Sequence, residues 1–258
     1  MSTERVRWGG VAALVVLAIA LVVGGNLWKS NLRVKRVAVV GAVNVEANQI
    51  IQLAQIPAGM PLYDVDLTRV QRNVQSHYFI RRATVERDLA GGIRITVEER
   101  TPLAVVTGAS LSYVDGDGVV LPSSLSKAIY DLPVLSGLPA DVKLTPGTTV
   151  QHEDVQEALV LLSVLKEVNR EMFHRISEVR VRNTGDMVLT SAESGVPIIF
   201  GRGGIADKVA RLEAFWASEV AERGAQNLEY VDLRFREQVV VRWTPQDQKK
   251  RLKGKAKS

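Results

Sequence analysis

The sequence predicts an α+β protein in which one N-terminal apolar helix precedes a larger folded body. Residues 9–28 hold no charged side chain, and a helix of that length, about 30 Å, matches the hydrocarbon core of a bilayer. Further along the chain, short alternating strands are mixed with amphipathic helices, which is typical of an α+β body. With 46% apolar and 24% charged residues, this body has the composition of an ordinary globular protein.

The segment Gly9–Trp28 is predicted to be a single transmembrane helix, with residues 1–8 as a short stub before it. A cleaved signal peptide is the alternative, because Arg5 and Arg7 precede the apolar run. The uncleaved anchor is favoured, since the apolar core of a signal peptide is about 7–15 residues long and no small-x-small cleavage site follows Val23.

Charge is distributed unevenly along the chain. Residues 1–36 and residues 244–258 each carry a net charge of +5, so that residues 37–243 carry −5 of the total of +5. A slightly acidic body lacks the basic surface that nucleic acid binding requires. Residues 244–258 are predicted to form a disordered, solubilising basic tail, with contact to an anionic membrane or wall polymer as the alternative.

The charges that flank the anchor do not settle its topology. More Lys and Arg residues follow Gly9–Trp28 than precede it, so the positive-inside rule alone would place the body on the cytoplasmic side. Cysteine is absent, which excludes disulfides and thiolate chemistry and is compatible with either side of a membrane.

The first block after the anchor is predicted to have the order strand, helix, helix, strand, strand. Val34–Gly41 alternates as a strand, and Glu46–Ala54 has helical apolar spacing. A second helix is expected to begin after a cap at Asp66 or Thr68. The segments ATVERDL and IRITVEER then flank the turn Ala90–Gly92 as a hairpin.

The second block is predicted to be a mostly antiparallel β domain with flanking helices. A strand, turn and strand are expected over Leu111–Pro122, and a strongly amphipathic helix over His152–Met172. Further strands follow, then a helix over Ala206–Glu222. The last strand, Val239–Trp243, is expected to lie at a sheet edge because it ends the folded body.

These residues resemble two known modules. VKRVAVVGAVNV, GMPLYDVDL, YFIRRATVERDL and ITVEERTP, in this order after an anchor, resemble a POTRA module, which the resemblance would extend over residues 29–102. With the block at residues 103–243, nearly the whole chain resembles the FtsQ/DivIB family of bitopic cell-division proteins.

The resemblance implies a non-enzymatic divisome scaffold. Such a protein is a single-pass type II protein of the cytoplasmic (inner) membrane, enriched at the division septum, whose C-terminal body lies on the periplasmic or extracytoplasmic side. Its POTRA module is a docking unit for other division proteins. A POTRA-type transport or outer-membrane assembly component is the alternative, but it would need several POTRA units or membrane strands.

The candidate functional residues lie in the C-terminal hairpin. A free strand edge accepts an added strand from a partner, and in the family this end of the domain docks FtsB/FtsL. By resemblance the partner-binding residues are Arg234, Phe235, Val239, Val240, Val241, Trp243 and Phe215. Core packing is the alternative for Phe215 and Phe235, whereas Trp243 is expected to be exposed. The turn has Arg236–Gln238 where many relatives have a glycine.

The remaining motifs do not predict any catalytic, cofactor-binding or metal-binding residue. Gly201–Ala206 fits GxGxxA, but a dinucleotide fingerprint belongs to a parallel βαβ series, whereas this strand is expected to close an antiparallel hairpin. Asp115–Gly118 is expected to be a hairpin turn and not a calcium loop. The histidines lack zinc spacing, and no motif of a nucleophilic serine is present, which argues against a cell-wall hydrolase.

Overall fold

A computed structural model describes residues 8–88, 91–108, 110–123 and 130–245. Contacts divide the chain into two compact units, with the boundary between Glu99 and Arg100. The predicted stub, apart from Trp8, and the predicted tail from Gln246 onward lie outside the described residues.

The first unit contains a three-stranded sheet and three helices. Strand order in the sheet is β1-β3-β2, with β1 parallel and β2 antiparallel to the central strand β3. The strand-helix-helix-strand-strand order predicted from the sequence is therefore confirmed. The elements are α1 (Trp8–Asn31), β1 (Arg36–Val40), α2 (Ala47–Ala54), a 3-10 turn (Leu62–Asp64), α3 (Leu67–Gln75), β2 (Ile80–Asp88) and β3 (Gly92–Glu99).

The core of this unit follows from the alternation of β3. Ile93 and Ile95 are buried, whereas Arg94 between them is exposed, because successive side chains of a strand point to opposite faces. Of the two predicted caps of α3, Asp66 is the one used, since its carboxylate accepts the N–H of Arg69 at 3.0 Å.

The apolar segment Gly9–Trp28 lies within the helix α1. In the part of the chain that the structure describes, no helix combines the length and the apolarity that crossing a membrane requires. The membrane anchor stays a prediction of the sequence.

The second unit is built on a nine-stranded sheet of order β12-β11-β10-β9-β8-β7-β4-β5-β6. Its elements are β4 (Pro102–Thr107), β5 (Leu111–Asp115), β6 (Val120–Pro122), β7 (Val134–Ser136), α4 (Glu153–Val168), α5 (Arg170–His174), β8 (Ile176–Val181), β9 (Met187–Ser191), β10 (Pro197–Gly201), α6 (Ile205–Phe215), a π-helical turn (Trp216–Val220), α7 (Ala221–Arg223), a 3-10 turn (Ala225–Asn227), β11 (Leu228–Asp232) and β12 (Val240–Trp243).

The sheet is mixed, although most of its pairings are antiparallel as predicted. The parallel pairings are β4 with β7, β7 with β8 and β10 with β11. Strand β10 is the second arm of the predicted antiparallel hairpin with β9, but it is also the first strand of a parallel β10-α6-β11 unit. The expectation that this strand belongs to no βαβ unit was therefore wrong.

The amphipathic helix predicted over His152–Met172 is two helices, α4 and α5. Asn169 between them is extended (φ −148°) and its side chain accepts the N–H of Met172, so it caps the second helix and interrupts the first. The predicted inner stripe of α4 is buried in the core of the unit, at Val155, Leu159, Leu162 and Leu165.

The Asp115–Gly118 segment forms the predicted turn between β5 and β6. The Asp115 carboxylate accepts the N–H groups of Asp117 and Val119 and pairs with Arg100 at 2.7 Å. Its oxygens are thus bonded within the unit. Among residues 8–88, 91–108, 110–123 and 130–245, no three His, Asp or Glu side chains are grouped so as to hold a metal ion.

Candidate functional site

Strand β12 lies at the end of the nine-stranded sheet, as the sequence predicts. Leu233, just beyond β11, donates its N–H to Ile199 of β10 at 2.9 Å. Because backbone groups alternate sides along a strand, Asp232 directs its N–H the other way, to its pair Val240 on β12. By the same alternation, Val241 and Trp243 direct their backbone groups away from β11.

The register of the chain beyond β12 agrees with this alternation. Thr244 donates its N–H to the carbonyl of Asn227 at 2.8 Å, so Thr244 and Arg242 face the same inner side. Among the residues that the structure describes, β12 is the last strand of the sheet, and the backbone of Val241 faces away from β11, which is the geometry that an added strand needs.

The predicted site residues differ in exposure. Phe235 is 46% exposed, Arg234 is exposed, and Val239, Val240, Val241 and Phe215 are half-buried. The expectation that Trp243 is exposed was wrong, since the side chain is only 8% exposed. Its ring lies under the Arg223 guanidinium, 4.5 Å from the ring centroid, and 6.3 Å from the Phe215 ring.

The burial of Trp243 has a simple physical cause. Trp243 pairs with Leu228 of β11, and this register places the indole on the core side of the sheet, next to a helix that ends in Arg223. An indole that is covered by an aromatic ring and a cation is stabilised by both contacts. Trp243 therefore anchors the edge strand to the core.

The loop that joins β11 to β12 is held by Arg211 of α6. One guanidinium nitrogen of Arg211 donates to the carbonyls of Phe235 at 2.8 Å and Gln238 at 2.9 Å. A rigid guanidinium that bonds two carbonyls of one loop fixes the shape of that loop. Arg211 was not singled out from the sequence, because nothing in the spacing of ARLEAFW indicates which loop the side chain reaches.

Arg234 is held at the base of the same loop. Its guanidinium forms a two-pronged pair with the buried Asp232 carboxylate, at 2.7 and 3.0 Å. This hydrogen bonding lowers the pKa of Asp232 and raises the pKa of Arg234. Both side chains are therefore charged at neutral pH, and the exposed guanidinium keeps a fixed position beside Phe235.

The turn of the hairpin adopts a glycine-like conformation without a glycine. Glu237 has φ +58°, in the left-handed region that costs an L-residue about 1–2 kcal/mol. The loop thus keeps the backbone shape that a glycine would favour, at the expense of strain on Glu237.

A cleft of about 500 Å³ opens beside Phe235, at the N-terminal end of α6. It is lined by more basic than acidic side chains, namely Arg202, Lys208, Arg211, Arg234 and Arg236 against Asp207 and Glu237. Burial lowers the pKa of Lys208, whose ammonium donates to the carbonyls of Phe200 and Arg202 at 2.9 and 2.8 Å.

The GxGxxA segment lines this cleft, yet its backbone is already bonded within the protein. Gly203 donates its N–H to the Glu157 carboxylate at 2.6 Å. In a dinucleotide fingerprint the glycine-rich backbone and the helix N-terminus face a phosphate. Here the Glu157 carboxylate accepts the Gly203 N–H instead, and the segment serves as the turn from β10 into α6.

The strand-helix-helix-strand-strand order of the first unit is that of a protein containing a POTRA domain. Residues 32–100 match the POTRA domain, FtsQ-type, and residues 104–234 match the C-terminal domain of cell division protein FtsQ/DivIB. The chain belongs to the FtsQ/DivIB family of cell division proteins.

Curated relatives agree over most of the chain. Cell division protein FtsQ of Rhodothermus marinus is 30% identical over 240 residues, which cover 90% of this chain and 84% of the relative. The protein of the same name from Salinibacter ruber is 30% identical over 252 residues, 95% of both chains. That of Streptomyces coelicolor is 29% identical over 208 residues, 78% of both chains.

Proposed function

We propose that this protein is a non-enzymatic scaffold of the divisome, which captures a segment of an FtsB/FtsL-like partner along β12 during septum formation. The observation that carries the proposal is the position of β12 at the end of the sheet, with the outward backbone groups of Val241 on the strand that follows the loop of the exposed Phe235. Membership of a family of cell division proteins favours this role over the transport alternative.

The expected partner segment is extended, with an apolar side chain and an acidic one. An added strand gains main-chain hydrogen bonds from the edge, whereas side-chain contacts give specificity. Phe235 offers an exposed aromatic anchor of the kind that dominates interfaces. The basic cleft beside it, with the exposed Arg234 guanidinium, complements a carboxylate on the partner.

Two substitutions test the strand addition. Val241→Pro in the full chain removes an outward N–H without removing a bond to β11, and we expect it to weaken partner binding about tenfold, which is about 1.4 kcal/mol. Val241→Thr, which keeps the N–H, is the control. Binding of FtsB/FtsL-like partners is measured by calorimetry in detergent; wild-type affinity in a folded Val241→Pro protein would rule out pairing at this edge.

The side-chain contact is tested separately. Phe235→Ala should weaken the same binding by more than about 1 kcal/mol, as expected for an aromatic anchor. Tyr78→Ala, at a similarly exposed aromatic residue of the first unit, is the matched control and should bind normally. Equal losses from both variants would mean that Phe235 has no specific role.

We further propose that α1 anchors the protein in the cytoplasmic membrane, with the body on the extracytoplasmic side. Because the described residues do not meet the requirement for a membrane span, support comes from exposure and family. Large apolar side chains of α1 such as Leu14, Leu17 and Leu21 are 56–68% exposed, a condition that water disfavours. Alkaline extraction of membranes, together with protease accessibility from the extracytoplasmic side, tests the anchor and its topology.

A further inference from the structure

A groove of about 450 Å³ lies in the second unit, between α5 and the π-helical turn. Its floor is apolar, because Met172, Trp216 and Val220, each at most 5% exposed, line it. The groove therefore lies directly over the core of the unit, with these largely buried side chains at its base.

The rim of this groove is acidic. It carries the carboxylates of Glu171, Glu193 and Glu213. Arg175 pairs with Glu171 at 2.6 Å and also with Glu193, and Asn169 donates to Glu213 at 2.7 Å. Since Arg175 is the cation among the lining residues, the groove retains an excess of negative charge.

The last described residues lie beside this groove. Trp243 pairs with Leu228, and Thr244 donates its N–H to the carbonyl of Asn227. Residues 224–226, which directly precede Asn227, line the groove. The thirteen residues that follow Pro245 reach up to about 43 Å when extended, which exceeds what the groove requires.

The charges of this segment complement those of the groove. Residues 246–258 contain Lys249, Lys250, Arg251, Lys253, Lys255 and Lys257, with Asp247 as the one acid. Lysine and arginine stems cover apolar surface while their charged ends reach carboxylates, so such a segment suits an apolar floor with an acidic rim.

We propose that the basic C-terminal segment 246–258 docks into this groove of its own chain. This occupancy does not depend on the proposed function of the β12 edge. The basic segment is then a structural element that covers the apolar floor and is held next to the site, in place of a free solubilising tail.

Tryptic cleavage after Lys249, Lys250 and Arg251 tests the proposal in the full chain. The protein is held in nanodiscs of uncharged phosphatidylcholine, so that no anionic membrane competes for the segment. The combined variant E171Q/E193Q/E213Q should be cleaved there about 3- to 10-fold faster than the wild type, because the rim carboxylates are lost. The matched control D117N/D141N/E153Q makes the same change in charge at residues of the second unit that do not line the groove, and it should be cleaved at the wild-type rate.

Carbodiimide cross-linking of the wild-type chain gives an independent measurement that does not depend on variant stability. Links from Lys249–Lys257 should concentrate on Glu171, Glu193 and Glu213, should form within one chain at every protein concentration, and should decline in 1 M salt, where the screening length falls to about 3 Å. Links spread evenly over the acidic surface, links formed between two chains, or equal cleavage of the rim variant and the wild type would each overturn the proposal.

Discussion

In each unit a loop is held in place by a charged side chain, which is a hydrogen-bond acceptor in the first unit and a donor in the second. In the first unit, the Glu99 carboxylate accepts the N–H groups of Val43, Asn44 and Val45 at 2.8–3.2 Å. In the second, the Arg211 guanidinium donates to two carbonyls of the β11–β12 loop. The first is a titratable acceptor, whereas the second is a donor that stays charged.

This difference predicts that the two loops respond to different conditions. Burial raises the pKa of Glu99, but the hydrogen bonds from Val45, Asn44 and Val43 outweigh it, so that the net pKa lies below the ordinary value. Arg211 has no proton to gain or lose in the physiological range. The loop of the POTRA unit is thus sensitive to acid, while the loop beside the proposed partner edge is held independently of pH through Arg211.

The largest expected effect comes from removing the carboxylate of the first unit. Glu99→Ala leaves three backbone N–H groups without their acceptor, and we expect it to destabilise the first unit by about 2 kcal/mol. The neighbouring Glu98→Ala breaks exposed ion pairs with Arg81 and Arg82, each worth about 0.5 kcal/mol or less. Denaturant unfolding, together with hydrogen exchange at Val43–Val45, measures the change in stability for both variants. Equal effects of the two substitutions would show that Glu99 does not hold the loop.

Arg211→Met is expected to have a smaller effect, confined to the second unit. Loss of two bonds to loop carbonyls should cost about 1 kcal/mol and raise hydrogen exchange in residues 234–239. Arg236→Met, an exposed residue of the same loop, is the control. If the loop exchanges equally in both variants, Arg211 does not fix its shape.

Lowering the pH should weaken the loop held by Glu99 and leave the loop held by Arg211 unchanged, even in the wild-type protein. The folded-state pKa of Glu99 is lowered, so its contribution to stability is complete above the unfolded-state pKa and is lost as pH falls through the folded-state pKa. His77, whose pKa burial lowers, acts in the same direction at higher pH, because its neutral form is the one that is buried. Protection factors at Val43–Val45 should fall as the pH falls, and in Glu99→Ala the part of this fall that comes from the Glu99 carboxylate should disappear while the part that comes from His77 remains.

The smallest expected effects concern backbone strain, for which the described residues of each unit include one non-glycine example with positive φ. Gln55 ends α2 with φ +48°, and Glu237 turns the terminal hairpin with φ +58°. Replacing either by glycine should stabilise its unit by about 0.5 kcal/mol, as relief of strain exceeds the added freedom of the unfolded chain. Alanine, which keeps the strain, should give no gain in thermal unfolding.

Much of this fold was predictable because its patterns are local. The alternation of IRITVEE, the cap at Asp66 and the stripe of α4 each depend on residues close in sequence. The burial of Trp243 and the parallel β10–β11 pairing were not predictable, because they depend on which strands become neighbours. The roles of three further residues were not predictable for the same reason. Each contacts a segment that is distant in the sequence: Arg211 contacts the β11–β12 loop, Arg223 contacts Trp243, and Glu157 contacts Gly203.

The position of β12 at the sheet edge was predictable from its place at the end of the folded body. Which of its amides point outward was not, since a shift of one residue reverses the two faces of a strand. That choice required the bonds of Leu233 and Thr244, which lie outside the strand itself.

The central claim, capture of a partner along β12, is tested most directly by residue-resolved hydrogen exchange with and without an FtsB/FtsL-like partner. Strand addition predicts that the Val241 amide gains strong protection on binding, while Val240 and Arg242, already bonded to β11, change little. Protection that rises at Val240 and Arg242 instead, or at none of the three amides while the partner is bound, would contradict the account.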